Sequence, residues 1–303
     1  MYEQIRKNKQ KTFLVLFTFI LLVAAVGLAF NYLLGYGVAG VIIAIIVAIF
    51  MSFFSYFYSD KVALMAANAK PADKDEYRRF HNLVEGLCIA SGLPKPKLYI
   101  VEDPSPNAFA TGRNPKHCAI AVTTGLLDMM NRVELEGVIA HELSHIKNYD
   151  ILISTIAVTA VGAIVVLSQI GMRMSFFGGG KSKRDSNSNN SPFGAVLLIL
   201  PLLLLILAPF AARLLQFSIS RNRECLADAS AVSLTRYPPG LISALEKLKS
   251  DTSEVKKGLS VTSSMWIEQP MDEGEKTEKP SWFARAFATH PPLDERIARL
   301  KEM

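Results

Sequence analysis

Apolar and polar positions divide this chain into blocks of two kinds. Four runs lack Lys, Arg, Asp and Glu altogether: 13–34, 36–58, 151–172 and 193–212. Each approaches or exceeds the roughly 20 predominantly apolar residues that carry a helix across a bilayer. The stretches 60–150 and 213–303 show shorter periods. Over 73–90, Tyr77, Phe80, Val84, Leu87 and Cys88 recur at helical spacing, and Gly92 and Pro94 close the element. Strand-like runs follow at 97–101, 107–111 and 118–123, separated by Pro, Gly and Asn turns. Asn131 with Glu134 three residues on predicts a capping box and a helix to about 148. Residues 214–235 and 238–249 read as two further helices, the second with proline near its start. Residues 251–280 read as a polar loop. Residues 291–303 read as a short amphipathic helix with Leu293, Ile297 and Leu300 on one side. The pattern predicts an α+β domain of helices around a small β-sheet, joined to four transmembrane helices.

The blocks give four units: a hairpin over 1–59, a first half-domain over 60–150, a second membrane pair over 151–212 with a linker at 173–192, and a second half-domain over 213–303. Arg6, Lys7, Lys9 and Lys11 precede the first run as in a signal peptide. That run is too long for a signal core, however, and a second run follows after a very short turn. Lys61, Lys70, Lys74, Arg78 and Arg79 follow the hairpin, so the excess of cations puts both its ends on the cytoplasmic side. Arg173, Lys181, Lys183 and Arg184 in the Gly-, Ser- and Asn-rich linker point the other way. Pro201 and Pro209 make the fourth run a kinked or a partly re-entrant helix.

Composition agrees with a membrane protein. Of 303 residues 50% are hydrophobic and 20% charged, below the roughly 25% charged of an ordinary soluble domain. The net charge of +6 sits beside the apolar runs, where anionic headgroups account for it. No nucleic-acid motif accompanies it, so the lipid bilayer and not nucleic acid is the expected partner. Cys88, Cys118 and Cys225 form no Cys-x-x-Cys pair, which excludes a disulfide scaffold and a cysteine zinc knuckle and fits a reducing compartment.

The candidate chemistry lies in His141-Glu142-Leu143-Ser144-His145. Histidines at i and i+4 share a helix face and can reach one metal ion, and a glutamate beside the first can act as general base toward water. A catalytic zinc needs a third protein ligand. Asn148 and Ile151 stand where the metzincin pattern has Gly and His, so that class is excluded. Between Glu142 and Glu224 the only acids are Asp150 and Asp185. Glu224 and Asp228 again stand at i and i+4: Glu224 can complete a gluzincin-like ligand set while Asp228 accepts a ligand histidine's free ring N–H. The other reading of this pair is a surface carboxylate couple neutralised by Arg221 and Arg223. One ion cannot be held from opposite sides of a bilayer, so 151–212 should cross an even number of times, against the basic linker. The site then lies near the cytoplasmic membrane surface.

His141-Glu142-x-x-His145, Arg223-Glu224 through Asp228, Asn107-Ala108-Phe109-Ala110-Thr111-Gly112 and Thr289-His290-Pro291-Pro292, set around four apolar runs, together resemble the HtpX family of membrane-bound zinc endopeptidases over nearly the whole chain. The resemblance implies one Zn2+ per subunit and a stress-linked protease of the bacterial inner membrane. It further implies a catalytic domain facing the cytoplasm, with damaged membrane proteins or unfolded polypeptides as substrates. Asn107 resembles the edge-strand asparagine at which a peptide adds as an extra strand; it also reads as a turn residue after Pro106. His290 resembles the family's C-terminal histidine, placed to donate to an oxyanion; it also reads as a helix-entry residue. Four runs argue against the related CAAX prenyl proteases, which have more spans. A non-catalytic membrane adaptor and a zinc hydrolase of another substrate class are the rival functions. A degenerate adaptor is expected to have lost Glu142 first.

Overall fold

The computed structural model describes residues 37–156, 221–251, 266–267 and 292–303, with single positions between 6 and 24; within the first helix it leaves out the side chains at 44, 47, 48, 51, 52 and 55. Of the expected elements, most of the first apolar run, most of the third, all of the fourth, residues 214–220 and His290 lie outside these residues. In chain order the elements are α1 (Gly37–Ala66), β1 (Lys70–Pro71), α2 (Arg78–Ser91), β2 (Lys97–Val101), β3 (Ala108–Asn114), β4 (His117–Thr123), α3 (Thr124–Met129), α4 (Arg132–Lys147), α5 (Arg221–Thr235), α6 (Pro238–Ser250) and α7 (Leu293–Lys301). Taken over the described residues alone, no helix is long and apolar enough to cross a membrane. α1 is nonetheless 30 residues long, and Ile42, Ile43, Ile46, Ile49, Phe50 and Phe53 are all exposed along it.

The sheet runs β1-β2-β4-β3, with β2 parallel to β4 and the outer pairs antiparallel. Its strands alternate faces residue by residue, as a pleated strand must. Leu98, Ile100, Ala108, Ala110, Ile120 and Val122 face a core shared with α2, α4, α6 and α7. Val101, Phe109, Ala119 and Ala121 face the opposite side, where Ala63 and Leu64 of α1, Ala67 just after it and the indole of Trp266 cover them. The sheet is thus held between the helices of the site and the base of the apolar helix.

Two devices set the position of α4. At its start the expected capping box is present: Asn131 Oδ1 accepts from the Val133 and Glu134 N–H groups, and Glu134 Oε2 accepts from the Asn131 N–H. Glu134 also accepts from Ser243 and Lys247 of α6, both at 2.7 Å. In the middle, Gly137 lets α6 approach: a Cβ there would lie 2.9 Å from the Leu241 backbone. Burial alone pushes the Glu134 carboxyl up, but Lys247, Ser243 and the Asn131 N–H outweigh it and hold it below 4.5. A lowered folded pKa means that its stabilisation is complete above about 4.5 and fades as pH falls through the folded value. Glu134→Gln is therefore expected to cost about 1 kcal/mol at neutral pH. The gap to wild type should close on acidification below 4.5; thermal melts across that range check it, and a constant gap would mean the charge is not its source.

Candidate metal centre

α4 carries His141, Glu142 and His145 toward α5, which returns Glu224 and Asp228 on its facing side. All but His145 are fully buried, and His145 nearly so. The two Nε2 atoms lie 3.1 Å apart. Glu224 Oε2 is 3.5 Å from His141 Nε2, and Oε1 is 3.6 Å from His145 Nε2. One ligand atom from each of the three residues falls within 4.8 Å of the others.

Both imidazoles are held from behind by carboxylates. His141 Nδ1 is 2.8 Å from Asp228 Oδ1, and His145 Nδ1 is 3.1 Å from Asp150 Oδ2. Each Nδ1–H is thereby committed, which turns the two Nε2 lone pairs toward each other, so a proton or a metal cation has to lie between them. Two nitrogens each about 2.0–2.1 Å from one tetrahedral zinc lie roughly 3.4 Å apart. The observed triangle matches that ligand set, and the donors, two imidazoles and a carboxylate, are those zinc takes. Burial alone pushes His141 toward neutrality and Arg296 adds to this, yet Asp228 and Glu224 raise it to about 9. Burial opposes the charge on His145 as well, and Glu224 and Asp150 raise it nonetheless. The pocket is electrostatically built for positive charge.

Two of these partners are absent from the sequence reading. Asp150 is five residues after His145, about 140° round a continuous helix. α4 instead stops at Asn148, Tyr149 takes a left-handed φ of +61°, and the chain is helical again from 150; that break returns the Asp150 carboxylate to His145. Its other oxygen, Oδ1, accepts from Asn8 Nδ2 at 2.7 Å and lies 3.6 Å from Arg223 Nη1. Arg296 of α7 is 1% exposed and grips both oxygens of Asp228, at 2.9 and 2.7 Å, with Nη2 3.4 Å from His141 Nδ1. Burial alone pushes Asp228 up, but Arg296 and His141 hold it down to about 2. A signal for Arg296 stands in the sequence: it shares the i, i+3, i+4, i+7 stripe of Leu293, Ile297 and Leu300, and a charge on an apolar stripe has to be paired.

Asn107 is buried just before β3, the outer strand of the sheet; its Oδ1 accepts from the Ala108 N–H, and its N–H donates to Thr123 Oγ1. The outward backbone of β3 is engaged at both ends: Ile267 N–H donates to Ala108 C=O, and Gly112 N–H donates to Thr155 Oγ1. Trp266 packs edge-on against Phe109 with ring centroids 4.6 Å apart. The cysteines are free. Burial pushes Cys88 to about 11 and Cys118 to about 12, which leaves neither a nucleophile at neutral pH. Cys225 is half-buried beside Arg299.

Helices carrying two histidines and a glutamate thus lie against a small mixed sheet. The profile of the family described as Peptidase family M48 matches residues 74–303, and the chain belongs to that family. "Protease HtpX homolog" proteins are similar over the whole chain: that of Caldanaerobacter subterraneus subsp. tengcongensis is 43% identical over 100% of this chain and 98% of its own length. That of Limosilactobacillus reuteri is 45% identical over 100% of both. These relatives bear out the HtpX resemblance carried by the motifs. Among solved structures, S. mikatae Ste24p aligns over 97% of this chain and 66% of its own, with a TM-score of 0.49 and 18% identity.

Proposed function

We propose that this M48 peptidase is an integral-membrane zinc endopeptidase acting at the cytoplasmic face of a bacterial inner membrane on misfolded or damaged membrane proteins. The observation that carries the metal is the triangle of His141 Nε2, His145 Nε2 and Glu224 carboxylate oxygens, with both Nδ1 atoms turned to carboxylates. When bound, zinc supplies a Lewis acid that polarises a peptide carbonyl and makes water acidic enough to attack at neutral pH. The chain's residues do the rest. Glu142, buried beside the first ligand, takes the proton of the attacking water and returns it to the leaving amine. Asp228 and Asp150 hold the two imidazoles in the tautomer that leaves Nε2 open, and Arg296 keeps Asp228 ionised. Asn107 and the outer strand β3 offer a main-chain edge to an extended substrate, shared with Trp266 and Ile267. His290 has the oxyanion role in this reading.

The membrane reading rests on the four apolar runs. A 30-residue α1 is about 45 Å long, against a hydrocarbon core of about 30 Å, and its exposed isoleucines and phenylalanines fit lipid contact. Residue 8, before the first run, touches residues 148 and 150, before the third. That contact supports an even number of crossings between them, as a hairpin at 1–59 would give; Glu224 beside His141 and His145 supports in turn a second pair at 151–212 between half-domains at 60–150 and 213–303.

The test is metal removal and return on the full-length protein in detergent. A chelator is expected to abolish casein cleavage, and one equivalent of zinc to restore it. Cleavage that survives a metal-free preparation would overturn the zinc reading. Zinc bound at one per chain, with no cleavage of casein or of solubilised membrane proteins, would favour the adaptor.

A further inference from the structure

The N-terminal segment, ahead of the first apolar run, reaches the metal centre. Asn8 is 3% exposed, and its amide nitrogen donates to two acceptors at once: the Asn148 carbonyl at 2.8 Å and Asp150 Oδ1 at 2.7 Å. Asn148 closes the helix that carries both histidines, and Asp150 accepts from His145 Nδ1 through its other oxygen. An amide has two N–H bonds and can serve both acceptors at once. The two acceptors stand on either side of Tyr149, whose left-handed backbone is a conformation that a residue with a side chain keeps only when its surroundings enforce it. Asn8 bridges that strained turn. It ties the end of α4 to the carboxylate, and the carboxylate fixes the plane and tautomer of the histidine.

Resting on the zinc reading above, we propose that Asn8 is a positioning residue of the metal centre: it sets Asp150, and through it His145, so that the N-terminal segment is a working part of the site. Without the amide, the Asp150 oxygen loses a charge-assisted donor and the turn its bridge. The imidazole then samples orientations that do not point Nε2 at the metal. Outer partners of metal ligands change metal affinity by about 10- to 100-fold, and Asn8 acts one step further out, so the low end applies.

The experiment uses full-length protein in detergent, loaded with Zn2+ or with Co2+, as wild type, Asn8→Ala, Asn8→Asp and a control, Gln10→Ala, whose side chain is exposed on the same segment. The readouts are zinc release to a chelator, the visible spectrum of bound Co2+ and the melting temperature of metal-free protein. Asn8→Ala is expected to release zinc about tenfold faster, with an altered Co2+ spectrum beside a modest fall in metal-free melting temperature from the two lost hydrogen bonds. Asn8→Asp should be worse, because a second carboxylate repels Asp150. Gln10→Ala should match wild type. Release and spectrum of Asn8→Ala equal to wild type would overturn the inference while leaving the zinc reading intact. The same shift in Gln10→Ala, or an effect confined to the melting temperature, would overturn it as well, by showing a general role of the segment. Wild type that holds no zinc would overturn the zinc reading and this inference with it.

Discussion

Glu142→Gln is expected to remove hydrolysis while leaving zinc in place. The side chain is buried one residue after His141 and is outside the group of three ligand residues, so the change conserves shape and removes only the proton acceptor. General acid–base catalysis contributes about 10²- to 10⁴-fold. In the proposed mechanism one carboxylate both accepts the proton of water and delivers it to the amine, so casein cleavage should fall by at least about a hundredfold. Metal content and melting temperature should match wild type. Activity within a few-fold of wild type would remove Glu142 from the mechanism. Loss of zinc together with activity would mean that Glu142 belongs to the ligand set.

Glu224→Ala is expected to have the opposite signature, losing the metal first. Glu224 supplies the only carboxylate in the group of three and faces both Nε2 atoms. Without it the two imidazoles remain with no anionic ligand, and the positive charge they attract loses one of its compensating groups. Zinc per chain, measured after dialysis against metal-free buffer, should drop from one to a small fraction, and cleavage should fall with it. Glu224→Asp keeps the charge on a shorter arm, so excess zinc should restore part of its activity. Full zinc occupancy in Glu224→Ala would place the third ligand elsewhere; the surface-couple reading of the 224–228 pair is already excluded by the burial of both carboxylates.

Local patterns were legible in the sequence. The capping box at Asn131, the three strand runs within a few residues, and the short helix at the C-terminus follow from spacing and turn chemistry alone. The pair spacings 141/145 and 224/228 were enough to put four side chains on facing helices. What stayed hidden required tertiary contact. Asp150 becomes a partner of His145 only because Tyr149 adopts a left-handed backbone, at a position that carries neither glycine nor asparagine. Arg296 is paired with a carboxylate 68 residues away; its place on an apolar stripe was a readable sign of a buried charge. Asn8 lies 142 residues from Asp150, and a lone asparagine among lysines carries no sign of a buried contact. The two-residue β1 and six-residue α3 are too short to show a period.

The wide spacing of the site also sets when it exists. Its candidate ligand side chains come from 141–145 and 224 and their partners from 150, 228 and 296, so 155 residues separate His141 from Arg296. During synthesis the histidine helix leaves the ribosome long before α7, and while the 68 residues that separate Asp228 from Arg296 are being added Asp228 has no guanidinium to hold it. The nascent chain is therefore without its complete centre until α7 has docked. Chains released early, short of residue 296, are left without it for good.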